Sequence, residues 1–86
     1  MNEKVLKMWA FVKCSPNRIS ILKALNQDVP KTPTDLSKET GMRPQNVSNY
    51  LIPLNEKRIV KCINDEMTKP RYYTLTKTGK EIIDNL

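Results

Sequence analysis

Thr32–Leu54 reads TPTDLSKETGMRPQNVSNYLIPL. Thr32, Pro33 and Asp35 form a helix start. The threonine caps, the proline supplies a preset first turn, and the aspartate three residues on can bond back to the capping backbone. The helix is short, because Gly41 falls where a left-handed C-cap is needed. Met42 and Arg43 make the turn, and Pro44 restarts a helix at its first position. Val47, Tyr50, Leu51 and Leu54 then recur at i, i+3, i+4 and i+7, one buried face. Two helices joined by a glycine-initiated turn have helix-turn-helix form. With Val47 at the centre of the buried face, Gln45, Asn49, Ile52 and Glu56 point the other way, flanked by Asn46 and Ser48. Amides and hydroxyls on an outward helix face suit base edges in a major groove, where Asn and Gln pair with adenine. The plainer alternative is a solvated helix face.

Working outward, Asn2–Cys14 has helical periodicity, with Val5, Met8, Trp9 and Val12 on one stripe and Leu6, Ala10 and Phe11 outside it. A helix so widely apolar needs cover on more than one side. Ser15-Pro16 caps a second helix running to about Leu25, with Ile19, Leu22 and Leu25 facing in. Asn26–Lys31 reads as a turn and a short extended piece. After the helix-turn-helix, which ends near Lys57-Arg58, residues 59–63 and 71–75 are β-rich. The polar residues 64–70 between them make the pair a hairpin with a long tip. Thr76 can cap a last helix through Leu86. Pro53, inside the second helix of the motif, lacks an N–H for the carbonyl of Asn49 and predicts a kink or an early end.

The expected fold is therefore mainly α with a small β-hairpin (α+β). It has a three-helix core plus a wing, flanked by N- and C-terminal helices. Residues 1–86 form a single domain, since so short a chain cannot divide into two cores. The helix-turn-helix covers about 32–56 and the wing about 59–75.

Here the residues resemble a known family. The stretch TPTDLSKETGMRPQNVSNYL is similar to the helix-turn-helix of winged transcriptional regulators of the arsenic-repressor and multiple-antibiotic-resistance-repressor type. NEKRIVKC resembles their helix end and first wing strand, and RYYTLTKTGKEII their second wing strand and last helix. Together these cover nearly all of 15–83. The resemblance implies double-stranded DNA as partner. Arg43, Gln45, Asn46, Ser48 and Asn49 would meet it through the recognition helix, and Lys69 and Arg71 from the wing. The cysteine-rich metal motif of arsenic-type repressors is missing, so metal sensing does not carry over.

Charge supports a nucleic-acid partner in part. Lys and Arg number 15 against 9 Asp and Glu, a net +6. The excess is shared between residues 1–42 and 43–71 with none on 72–86, while Pro44–Asn55 carries no charge. Lys38, Arg43, Lys57, Arg58, Lys69 and Arg71 are candidate backbone contacts, because phosphate neutralisation supplies most non-specific affinity. For each, and for Lys31, the alternative is ordinary surface. Asp65 and Glu66 place negative charge at the wing tip. Tyr73 with Leu75 reads as core, and Tyr72 as a contact or a strand stabiliser.

Several classes are disfavoured. The chain has no histidine, the commonest general base and metal ligand, and its two cysteines lie far apart. No nucleophile stands beside an activating partner, so no enzyme, no cofactor and no metal are expected. Val5–Val12 is too short and too interrupted to span a bilayer, so no membrane role is expected. Cys14 and Cys62 read as reduced, buried thiols of a cytoplasmic protein. The expected working form is a homodimeric repressor, joined by Leu6, Ala10 and Phe11 of the first helix and Ile82, Ile83 and Leu86 of the last. A protein-interaction module is the competing reading, favoured by Ile52 and the acidic wing tip. A redox- or ligand-responsive repressor is a third, but the chain shows no separate sensor domain.

Overall fold

A computed structural model describes residues 1–66 and 70–86. Five helices and a two-stranded antiparallel hairpin follow in the order α1 (Glu3–Lys13), α2 (Pro16–Leu25), α3 (Pro33–Thr40), α4 (Pro44–Glu56), β1 (Val60–Cys62), β2 (Tyr73–Leu75) and α5 (Lys77–Asp84). This is the mainly α, winged helix-turn-helix arrangement expected from the sequence.

Local capping accounts for the helix starts. Asn2 accepts from the Val5 N–H, Ser15 from Arg18, Thr32 from Asp35 and Thr76 from Gly79. The capping box of α3 is complete, because the Asp35 carboxylate also accepts from the Thr32 N–H at 3.1 Å. Gly41 closes α3 at φ +78°, a left-handed conformation that glycine adopts without steric cost.

α2 is the hub, packing against α1, α3, α4, α5 and β2. That many neighbours widen its buried stripe to Ile21, Leu22, Ala24 and Leu25, while Ile19 is only half-buried. Ile21 thus holds the core position that periodicity assigned to Ile19. Val12, Leu36, Val47, Leu51, Leu54, Ile59, Val60 and Ile82 complete the centre of the core. The Trp9 indole N–H donates to the Asn85 carbonyl at 2.8 Å, tying α1 to the end of α5.

Three expectations change. α4 runs through Pro53 to Glu56, reaching the end expected near Lys57-Arg58 and not stopping early at the proline. The proline lies near the C-terminal end of the helix, where the flanking Leu51 and Leu54 are buried in the core. Cys14 is exposed and Cys62 half-buried. Cys14 follows α1 directly, outside the apolar stripe. The strands are shorter than expected, with Val60 opposite Leu75, Lys61 opposite Thr74 and Cys62 opposite Tyr73. Lys31 adds a single bridge on the other side of Tyr73, the short extended piece before α3. Beyond the strands, Asn64 holds the base of the tip by donating to the Pro70 carbonyl and accepting from the Tyr72 N–H, both at 2.8 Å. No described helix is long and apolar enough to cross a membrane.

Candidate nucleic-acid interface

Val47, Leu51 and Leu54 pin α4 to the core, which turns Gln45, Asn46, Asn49 and Ile52 outward, all exposed. Ser48, one position round the helix, is half-buried. The Gln45 amide donates to Asn49 Oδ1 at 3.4 Å, one turn apart on the outer face. This contact leaves the Asn49 amide hydrogens and a lone pair on its oxygen available to a base edge.

Beside that face runs an open cleft of about 620 Å³ between the starts of α3 and α4 and the wing. Thr32, Thr34, Gln45, Ser48 and Arg71 are among its lining residues. The fold therefore brings Gln45 and Ser48 of α4 together with Arg71 of the wing. Arg43, exposed, is the N-cap of α4, a position its donor-only guanidinium cannot cap. Lys38 is exposed in the last turn of α3.

Other expected contacts lie elsewhere. Lys57 and Arg58 follow α4, about 18 Å along its axis from Gln45 at 1.5 Å per residue. Both line a hollow with Asn2, Lys4 and Met8 of the α1 region. The Lys57 ammonium lies 4.9 Å from the centroid of the Phe11 ring. Arg58 turns through a left-handed backbone at φ +59°, which carries the chain away from the helix and into β1. Neither reaches the cleft, because the helix axis separates its two ends. Lys69 lies outside the described residues.

The surface expected to join two copies also divides. Leu6 is 49% exposed, Leu86 41%, and Ala10 is exposed. Ile83 and Phe11 are half-buried, and the Phe11 ring has the Arg18 guanidinium 3.7 Å from its centroid. Ile82 has no exposure at all. It points from α5 into the chain's own core, so it is withdrawn from any partner surface.

Sequence reasoning missed Lys31. Placed among surface lysines, it is only 7% exposed. Its ammonium donates to the Ala24 carbonyl at 2.7 Å, Gln27 Oε1 at 2.9 Å and Glu39 Oε1 at 2.7 Å. The available hint was its place one residue before the Thr32 cap, where a long side chain can run back along α2 and α3. Thr32, whose cap alone the sequence shows, also borders the cleft, as does Thr34.

Electrostatically the start of α3 is already occupied. The backbone N–H and the hydroxyl of Thr32 hold the Asp35 carboxyl below the usual aspartate range. Among the described residues no three Cys, Asp or Glu side chains gather as a metal site would require.

Residues 15–61, spanning α2 through β1, match the family profile of bacterial regulatory proteins of the arsR family. The chain belongs to that family. By membership it carries the helix-turn-helix of bacterial regulatory proteins. Solved structures agree in fold. The AntR antimony-specific transcriptional repressor superposes with a TM-score of 0.77 at 24% identity, over 93% of this chain and 72% of that one. A MarR family transcription regulator gives 0.75 at 22%, over 93% and 54%. MepR of S. aureus, in complex with DNA, gives 0.74 at 20%, over 96% and 69%. This arsR-family chain thus spans about half the length of some of the regulators it resembles. A search of curated proteins finds no significant match.

Proposed function

We propose that this arsR-family chain binds double-stranded DNA sequence-specifically, as a homodimeric repressor, and catalyses no reaction. α4 enters the major groove and the wing reaches the neighbouring backbone. One observation carries the reading: the uncharged amide face of Gln45 and Asn49 stands outward beside the cleft that holds Arg71. Base-reading and phosphate-binding groups are thereby side by side, as groove entry requires. That a protein of the same fold, MepR, occurs in complex with DNA supports the mode of binding. That another, AntR, is a repressor supports the direction of regulation. Its antimony specificity is not carried over.

Dimerisation is inferred from Leu6 and Ala10 on α1 and Leu86 beyond α5, all exposed. Two-fold symmetry then repeats the reading face about 34 Å away, one turn of DNA. Selection of bound sequences from a randomised duplex pool tests both parts. A palindromic consensus whose binding falls steeply with salt is expected. A consensus without a two-fold repeat removes the dimer, and no enrichment removes sequence-specific binding.

A further inference from the structure

Ile52 is 58% exposed and sits on the same outward stripe as Gln45 and Asn49. A single exposed isoleucine is common on protein surfaces. Its position is what sets this one apart. At 1.5 Å per residue it lies about 4.5 Å beyond Asn49 and about 10.5 Å beyond Gln45. Base pairs rise about 3.4 Å each, so the stripe from Gln45 to Ile52 spans about three base-pair steps, with Asn49 and Ile52 one or two steps apart.

The chemistry of the stripe is equally narrow. Pro44–Asn55 contains no lysine or arginine, the side chains that read guanine through O6 and N7. The two amides suit adenine. The apolar feature of the major-groove edge is the thymine C5-methyl, and a branched apolar side chain is its natural neighbour. Facing guanine or cytosine instead, Ile52 would cover polar edge atoms without bonding them. Its β-branched side chain is stiff, so little freedom is lost on contact. Glu56, one turn further along the stripe, is exposed and anionic, and so bounds the face on that side.

Resting on the DNA-binding reading above, we propose that Ile52 is a specificity-determining residue that packs on a thymine methyl group. The thymine lies one or two base pairs from the adenine read by Asn49.

Deoxyuridine differs from thymidine only by that methyl, which makes the test direct. The full chain selects its best duplex from a randomised pool, and each thymine of it is then replaced by deoxyuridine in turn. At one position per recognition face the wild type should weaken roughly fourfold, the worth of one buried methyl group. Ile52→Ala should bind the thymine duplex more weakly and be indifferent to deoxyuridine there, while Ile52→Val should keep the sensitivity. Since the side chain is exposed, an unchanged melting temperature confirms that the variants fold. A wild type insensitive at every position overturns the proposal, as does an Ile52→Ala variant that keeps the sensitivity or binds as well as wild type. In each case the selected consensus stands and DNA reading survives. If the pool yields no consensus, sequence-specific binding itself fails, and the proposal with it.

Discussion

Lys31 and Tyr73 exchange both backbone hydrogen bonds, at 3.0 Å from the Lys31 N–H and 2.8 Å from the Tyr73 N–H. The link before α3 is thereby fastened to the wing strand, and the Lys31 ammonium fastens it again to the end of α2 and to Glu39 of α3. Position 31 therefore fixes the spacing between the helix-turn-helix and the wing, which are the two walls of the cleft.

Lys31→Met keeps the aliphatic stem and removes three donated bonds. The Glu39 side chain is 37% exposed, so water screens much of that ion pair. The larger loss is the buried bond to the Ala24 carbonyl, and a destabilisation of about 1–3 kcal/mol is expected. Urea unfolding checks it; an unchanged midpoint would mean the ammonium contributes nothing to the joint.

Gly79 and Gly41 should respond oppositely in mechanism. A Cβ on Gly79 would collide with the Ile59 carbonyl and crowd Leu75, and backbone cannot yield as a flexible side chain can. Gly79→Ala is expected to cost about 2–3 kcal/mol, as overpacking does. Gly41 has open space around it and a φ of +78°. Gly41→Ala therefore pays only backbone strain, about 1 kcal/mol. Thermal melts of the two variants should preserve that order.

These contrasts mark what was readable from the chain. The caps at Ser15, Thr32 and Gly41 were legible because each is an interaction between residues three or four apart. The outward side of α4 was legible too, since Val47, Leu51 and Leu54 fix its opposite. Lys31 was not, because its ammonium is taken up where the end of α2 meets α3, a packing that neither helix pattern shows alone, and its backbone pairs with Tyr73, distant in sequence. Ile21 displaced Ile19 for a similar reason: α2 is packed on several sides, so one stripe does not describe it. Lys57 and Arg58 share their charge with Arg71, but the length of α4 sets them apart from the cleft. Ile82 lies on the apolar stripe of the last helix, and the sequence does not show that the chain's own core, rather than a partner, covers it.

Asp35 makes the first turn of α3 sensitive to acid. Its carboxyl titrates lower in the folded chain than when free, held by the Thr32 N–H and hydroxyl. The stabilisation is thus complete above the ordinary carboxylate range and lost as pH falls below it, through the lowered range of the folded chain. Asp35→Asn should be less stable than wild type at neutral pH, with the gap closing below about pH 4. Denaturant midpoints of both proteins across that range decide it; a gap independent of pH would show that charge is not the cause.

Arg71 and Asn49 stand on two sides of one interface and should fail differently. Asn49 is on the uncharged face, where an amide can read one base. Asn49→Ala should cost about 1–3 kcal/mol on the preferred duplex and relax selection at a single position. Arg71 is exposed on the wing side of the cleft, where a cation meets phosphate whatever the base. Arg71→Ala should weaken all duplexes alike and reduce the slope of log affinity against log salt by about 0.9, the release from one phosphate contact. Titrations of the selected and a scrambled duplex at several salt concentrations separate the two effects. If Arg71→Ala altered sequence preference while leaving the salt slope intact, Arg71 would be a base reader, and the wing would have to lie deeper in the groove than the backbone.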